Sequence, residues 1–557
     1  EVFGSNKALW FSPSGNKLAF GYFDDSQTPI ITIPFYGYPG SMSFQYTTAI
    51  SIHYPKSGTT NPTVKLFYVD LEKVIQGNTN LTEIEHPNKL STEERILSAV
   101  AFPTDNLVYA TWMNRVQNRA YFHFCYVHGH LPNCTTVRIY IFIILTFINR
   151  HRKSSNHLDK NFFLLIIEQN KRMYFHICYI QIQLSNCIII LFFTRNILPF
   201  NKIARDESYY LATTEEESAV QHLYRISTKG TSDRKPKCLT CGIVRETDRN
   251  RCLYNTAKFS TDHSNYVLTC AGPGVPDISI YNRLNQFSLS VNACIVLWNV
   301  NNNNIQLPII LKHFTTLKIK YVLIISYNTS CTFSLLTDTY GGPDSYQVTE
   351  KFDVDWGTYL VTNKSIIYAT IDGRGSGLMD NGMLFAGYRN LGTVEIADQI
   401  NVTRYLQDKL PFIDRTRTAI WGWSYGGYAT GMTLAMDYHG VFKCGMSVAP
   451  VTDWALYDSI YTERFMGLPS DNLHGYEQGQ LLNKVDNIKT KMYYLIHGTL
   501  DDNVHYQQSL LLAKVLEQKD ILFRQQTYTD EDHGIAQSRA HLYHSLENFL
   551  DECYEAS

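Results

Sequence analysis

The chain has 557 residues and a mass of 64.0 kDa, enough for two or more domains with complete cores. With a formal net charge of −2 and a pI of about 6.9 it presents no basic field, which argues against a nucleic-acid partner. Its 44% hydrophobic content suits a globular protein, and its 38 Tyr and 29 Phe lean it toward β structure.

The sequence opens at Glu1 with neither an initiator Met nor a signal peptide, and reads as a fragment or a truncated gene product. Over residues 1–305, three stretches share one design: WFSPSGNKLAFGYF (10–23), VAFPTDNLVYATWM (100–113) and AKFSTDHSNYVLTC (257–270). Each places a Phe, a polar turn and an alternating apolar run in succession. That predicts recurring strand–turn–strand units, as in the blades of a propeller, with an array of β-sandwiches as the competing arrangement. Two stretches lack turn chemistry and pairing, 137–160 (VRIYIFIILTFINRHRKSSNHLDK) and 321–334 (YVLIISYNTSCTFS). They read as unspliced intron rather than insertion loops. The apolar run 139–148 within the first is too short to span a bilayer.

Twelve cysteines are many for a cytosolic enzyme. Several fall in close pairs: Cys125 with Cys134, Cys178 with Cys187, Cys238 with Cys241 and Cys252 with Cys270, spacings that can staple hairpins. Cys238 and Cys241 form a C-x-x-C, but a second tight pair is missing, so zinc is disfavoured and no metal is expected. Five N-x-S/T sequons (Asn80, Asn133, Asn328, Asn363, Asn401) agree with an oxidising, secretory route.

Residues 306–557 alternate differently. SIIYATID (365–372), TAIWGW (418–423), GMSVAP (445–450) and MYYLIHG (492–498) read as buried parallel strands, and TVEIADQINVTRYLQDK (393–409) and HYQQSLLLAKVLEQK (505–519) as helices between them. The expectation is an α/β domain with a doubly wound, mostly parallel sheet. DGRGSG (372–377) lacks the Lys-Ser/Thr of a phosphate loop and is expected to be a turn on the rim of the site.

Within that domain, Gly422-Trp423-Ser424-Tyr425-Gly426 is a G-x-S-x-G between an apolar strand and the helical pattern YATGMTLAMDY (428–438). A sharp strand-to-helix turn needs small residues two before and two after its strained apex, which is the nucleophile elbow of α/β-hydrolases. An ordinary Gly/Ser turn is the plainer reading. A serine hydroxyl needs a base, and in this fold the partners follow as acid and then histidine, each after a strand. Asp501 follows MYYLIHG, and His533 follows LFRQQTY (522–528). Ser424 would attack a carbonyl, His533 would move the proton and Asp501 would hold the imidazole. Asp502 is an alternative acid, and His497, Asp501, Asp502 and His505 could be taken for a metal cluster, although their spacing fits no standard ligand set.

Together WGWSYGGY, HGTLDDNVHYQQS, YTDEDHGI and YTERFMGLP resemble the prolyl oligopeptidase family, in its dipeptide-releasing branch, most specifically over 335–557 and more weakly through most of 1–300. The resemblance implies a β-propeller, here partial, joined to an α/β-hydrolase domain. It also implies a serine exopeptidase that releases Xaa-Pro or Xaa-Ala dipeptides through an acyl-enzyme, without a cofactor. It carries over Ser424, Asp501 and His533 as the triad, Tyr340 and the backbone N–H of Tyr425 as oxyanion donors, and Val451, Trp454, Tyr457, Tyr461, Val504 and the ring of Tyr425 as an apolar proline pocket. Positions 454, 457 and 461 recur at helical spacing, which also suits a core helix. Asn503 is implied as a partner of the substrate carbonyl, and Glu1 as one of two glutamates that hold the substrate amine. With the other glutamate and a basic residue upstream missing, dipeptide selection is expected to be weakened. The four close cysteine pairs match family disulfides, as does Cys444 with Cys553; Cys294 and Cys331 fall outside them. A homodimer, a cell-surface or extracellular location and a type II membrane anchor upstream of this chain are likewise implied by the resemblance alone. A non-catalytic binding relative and a proline-specific endopeptidase are the competing functions. The intact triad disfavours the first, and Asp458 beside the pocket weakly disfavours the second.

Overall fold

The structure is a computed structural model that describes residues 2, 3, 5–77, 81–127, 132–140, 207–214, 217–227, 236–245, 249–282 and 332–555, together with the strand backbones 162–169, 172–179, 188–192, 197–204, 287–291, 309–314 and 320–325. The chain divides into two compact units. One comprises 1–28, 60–294 and 349–352, the other 29–59, 295–348 and 353–557.

The first unit is a succession of antiparallel sheets, four of them four-stranded and one three-stranded. Each of the three strand–turn–strand stretches forms as expected. Leu9–Phe11 pairs with Lys17–Asp24, Arg95–Thr104 with Leu107–Asn114, and Tyr254–Phe259 with Asn265–Gly272. The first two of these hairpins contribute Ala19, Leu97 and Trp112 to one core, together with Leu66, Tyr68 and Tyr121 of neighbouring strands. Consecutive hairpin sheets of this kind are the blades of a propeller.

Three of the four close cysteine pairs are disulfides, Cys125–Cys134 across one hairpin, Cys238–Cys241 and Cys252–Cys270. The fourth expected bridge, between Cys178 and Cys187, is not among the disulfides of the described residues. Cys187 lies outside the described residues, and Cys178 is described only as backbone of the strand Arg172–Tyr179. Cys294, Cys331 and Glu1 also lie outside the described residues.

The second unit is built on an eight-stranded sheet: β1 (Ile309–Phe314), β2 (Lys320–Ile325), β3 (Phe333–Asp338), β4 (Ile367–Asp372), β5 (Ile413–Trp423), β6 (Cys444–Val448), β7 (Met492–Gly498) and β8 (Arg524–Tyr528). Their spatial order is β1-β2-β4-β3-β5-β6-β7-β8. The first two pairings are antiparallel and the rest parallel. The helices α1 (Trp356–Lys364), α2 (Val394–Lys409), α3 (Tyr425–Met436), α4 (Ser459–Met466), α5 (Gln507–Gln518) and α6 (Arg539–Glu555) connect and follow them. In α6, Leu542, Leu546, Phe549, Leu550 and Cys553 are buried, an apolar stripe at helical spacing that packs on Trp421, Met446 and Tyr494 of the sheet. Cys444–Cys553 joins β6 to α6. Leu335, Ile367, Ile371, Val402 and Leu406 form a second core cluster that includes residues of α2.

The two suspect stretches are described in part. In the second, residues 320–325 pair on both sides as β2 and 333–338 form the parallel strand β3, while 326–331 lie outside the described residues. In the first suspect stretch Asn133–Tyr140 is strand, and 141–160 lie outside the described residues. Residues 29–59 belong to the second unit, although in sequence they fall between two strands of the first sheet of the other. Within them Ile30–Phe35 pairs with Thr48–His53 as a hairpin.

Candidate active site

Ser424 sits between β5 and α3 with φ 62° and ψ −117°, a positive-φ conformation that a side chain adopts only under constraint. The neighbouring glycines explain the tolerance. A Cβ on Gly422 would lie 2.3 Å from the carbonyl oxygen of Thr339, and one on Gly426 2.1 Å from that same atom. The elbow is therefore pressed against the end of β3, just where the chain turns into Tyr340. The Ser424 N–H donates to Val448 O at 2.8 Å, tying the apex to β6.

Tyr425 opens α3, so its N–H has no acceptor one turn earlier. Its side chain is buried, its ring centroid lies 6.1 Å from that of Tyr340, and its hydroxyl donates to Glu395 at 2.9 Å. Burial raises the Glu395 carboxyl above its ordinary value, against backbone donors from Gly392 and Thr393. The Tyr340 N–H donates to Gln347 Oε1 at 2.9 Å, and Gln347 Nε2 donates to Asp338 at 3.2 Å. The backbone N–H groups of Gln347 and Val348 donate to Asp372, the first residue of DGRGSG. Gly377 N and Gly375 O bond to Ser345 and Asp344, so this turn braces the Tyr340 loop.

Asp501 and His533 lie in the loops after β7 and β8. Gly498 lets those loops close on each other, because a Cβ there would meet Glu531 O at 2.3 Å. Leu500 N donates to Glu531 O, and Asp530 N to the Thr499 hydroxyl. His533 Nδ1 lies 2.6 Å from Asp501 Oδ2, and the N–H groups of Asn503 and Val504 donate to Oδ1 at 3.0 and 2.8 Å. Burial alone would raise this carboxyl; hydrogen bonds from His497 and His533 outweigh it and hold the group down at about 2. A carboxylate on Nδ1 fixes the imidazole with Nε2 as its outward nitrogen. Asp502 is exposed and Asp501 buried.

Five aromatic rings form one cluster. Trp454 stacks on Tyr461 at 6.0 Å and lies 5.4 Å from Tyr425, 5.1 Å from Tyr428 and 6.1 Å from Tyr457. Val451, Trp454, Tyr457 and Val504 are buried. The single helix implied by the spacing of 454, 457 and 461 does not form. Trp454 is in a 3-10 turn, Tyr457 is extended, and Asp458 caps α4 by accepting from Tyr461 N. Tyr457 OH donates to Asn503 Oδ1 at 2.7 Å. Unanticipated from sequence, the return of the 29–59 segment supports this wall. Tyr54 OH donates to Asn503 O, Ser57 N to Tyr457 O, and Gly58 N to Glu463.

Among the described residues two sets of three metal-ligand side chains converge, His123 with Cys125 and Cys134, and His222 with Cys238 and Cys241. In each the sulfurs are joined to one another. In the quartet around Asp501, His497 is hydrogen-bonded to Asp501, while His505 packs on the Tyr54 ring at 4.1 Å.

Residues 352–557 match the model of the Prolyl oligopeptidase family, and residues 1–277 match that of the Dipeptidyl peptidase IV (DPP IV) N-terminal region. The chain is 38% identical to Venom dipeptidyl peptidase 4 of Apis mellifera over 99% of its own length and 72% of the relative's. It is 37% identical to Dipeptidyl peptidase 4 of Sus scrofa over 100% and 73%. The crystal structure of Porphyromonas gingivalis dipeptidyl peptidase 4 superposes with a TM-score of 0.82 at 25% identity, covering 99% of this chain and 75% of that one.

Proposed function

This chain belongs to the prolyl oligopeptidase family as a serine-type dipeptidyl peptidase, and from that premise we propose how its residues divide the work. The Ser424 hydroxyl attacks the carbonyl carbon of the second residue of a peptide. His533 takes its proton at Nε2 and returns it to the leaving amine, and Asp501 holds the imidazole and balances its charge. The acyl-enzyme is then cleaved by water in the same sequence. The backbone N–H of Tyr425 and the hydroxyl of Tyr340 donate to the developing oxyanion. The observation that carries this reading is the pair of bare glycines, 422 and 426, against the Thr339 carbonyl: they bring the strained serine up to the loop of Tyr340.

The second residue of the substrate is proline or alanine, held by the rings of Tyr425, Trp454, Tyr457 and Tyr461 with Val451 and Val504. A flat, apolar, box-like wall suits a pyrrolidine ring and leaves no partner for a charged side chain. Asn503 donates from Nδ2 to a substrate carbonyl, since its Oδ1 is engaged by Tyr457. Three disulfides in one unit and one in the other support an oxidising, extracytosolic location, and the sequon residues Asn133, Asn363 and Asn401 are exposed. No helix among the described residues is long and apolar enough to cross a membrane. The homodimer and the upstream anchor rest on family resemblance alone, as does the bridge between Cys178 and Cys187.

The test is hydrolysis of Gly-Pro-coumarin with a free amine beside its N-blocked counterpart. Release from the free peptide alone is expected. Equal release from both would make the enzyme an endopeptidase, and release from neither, with an ester still cleaved, would remove the proposed dipeptide specificity.

A further inference from the structure

His497 is the last residue of β7 but one, and its side chain is almost completely buried. Its Nε2 lies 3.0 Å from Asp501 Oδ2 and 2.7 Å from the carbonyl oxygen of Val504; its Nδ1 lies 2.7 Å from the Ser509 hydroxyl. Both neighbours of Nε2 are acceptors only, so that nitrogen carries the proton. Nδ1 then accepts from Ser509, the first-turn residue of α5 that is itself fully buried. Asp501 Oδ2 is thus shared between two histidines, His533 on the substrate side at 2.6 Å and His497 on the core side.

We propose that His497 is a positioning residue of the reaction: oriented by Ser509, its Nε2–H grips the Asp501 carboxylate from the core side and sets how much of that charge faces His533. The proposal rests on the reading of Ser424, His533 and Asp501 as the triad. A structural histidine would need only to fill space. This one presents its single N–H to the oxygen that also serves the base, and the hydroxyl behind it polarises that N–H into a stronger donor. Other titratable groups facing the pair are His505, which burial and then the Lys56 charge push down to about 4, and Tyr506, whose ring lies 5.6 Å from that of His497.

The experiment uses the full chain with three substitutions. His497→Leu removes the donor, His497→Gln retains an N–H at similar reach, and Ser509→Ala removes only the hydroxyl behind the ring. His497→Leu is expected to lower kcat about ten- to a hundredfold, the range seen when a partner that orients a functional side chain from behind is removed, with KM within about twofold. The acid limb of its kcat/KM profile moves to higher pH, by up to about one unit. The sign follows from charge: a carboxylate relieved of one donor holds the His533 imidazolium more tightly. Ser509→Ala moves the limb the same way by less, and His497→Gln restores most of kcat. Independently of turnover, the downfield proton resonance of the His533–Asp501 hydrogen bond, read in Ser424→Ala protein, shifts in the Leu variant and stays near its original place in the Gln variant. An unmoved limb and resonance in His497→Leu, or equal damage from Leu and Gln, would overturn the proposal. An inactive parent enzyme whose resonance still responds to His497 would instead count against the triad reading alone.

Discussion

The Trp423 indole N–H donates to the backbone carbonyl of His533 at 2.9 Å, so the residue just before the serine holds the loop that carries the base. Arg539 lies over the same indole at 5.4 Å and donates to Gly534 O, closing the other side of that loop. Trp423→Phe keeps the ring and deletes the donor. A neutral hydrogen bond of this kind contributes about 0.5–1.5 kcal/mol, so kcat should fall about three- to tenfold with KM nearly unchanged. Steady-state kinetics on Gly-Pro-coumarin checks this, and a rise in KM without loss of kcat would assign the bond to substrate binding instead.

Asp501→Asn keeps the shape of the acid and removes its charge. The neighbouring His533 then loses the partner that selects its tautomer, and kcat/KM should fall by about 10⁴. Single-turnover kinetics with circular dichroism on the same sample separates this from unfolding. A loss of less than about tenfold would place the acid elsewhere.

Tyr340→Phe removes a proposed oxyanion donor while leaving the loop held through its backbone. The expected cost is about 10²–10³ in kcat with little change in KM. Gln347→Ala, which cuts the bond from the Tyr340 N–H, should give a smaller loss in the same parameter.

Asp338 is half-buried beside that loop, accepting from Tyr368 OH at 2.9 Å and from Gln347. Burial raises its carboxyl to about 6, more than those two hydrogen bonds lower it. An acid whose folded value is raised binds its proton more tightly folded than unfolded. It therefore costs stability above about pH 6, and the cost disappears as pH falls below its unfolded value near 4. Asp338→Asn should stabilise the enzyme by roughly 1–2 kcal/mol at pH 8 and hardly at all near pH 4. Thermal midpoints of both proteins across that range test the slope; a pH-independent difference would contradict it.

Cys444 and Cys553 close a sequence separation of 109 residues. Replacing both by Ala should lower the melting temperature by about 5–15 °C and leave kcat at 25 °C close to the parent value, because Cys444 begins β6, level with the start of β7, while Asp501 follows the other end of β7. Scanning calorimetry reads the first and the coumarin assay the second.

Much of this architecture was legible in residue patterns. The parallel strands around Trp421, Met446 and Tyr494 are continuous apolar runs because both faces are covered, and the elbow declares itself by glycines that no side chain could replace. The hairpin around 257–270 shows the two-residue alternation of half-covered strands, whereas Leu107–Asn114 in the hairpin around 100–113 is buried at every position. What periodicity could not carry was long-range. Residues 29–59 look like more blade, and only Tyr54, Ser57 and Gly58 meeting Asn503, Tyr457 and Glu463 reveals their allegiance. The rings at 454, 457 and 461 mimic a helix, yet the Asp458 cap starts a new helix between them. His497 stood in a quoted motif as one of four metal candidates, because a tautomer is set by neighbours that only the fold supplies.

Cleavage is assigned to the Ser424 hydroxyl. Labelling the enzyme with a fluorophosphonate, locating the adduct by peptide mass spectrometry and following Gly-Pro release in the same samples tests it most directly. One adduct is expected, on the peptide containing Ser424, with dipeptide release lost in proportion to labelling and absent from Ser424→Ala. An adduct on another serine, or undiminished dipeptide release by Ser424→Ala, would contradict it.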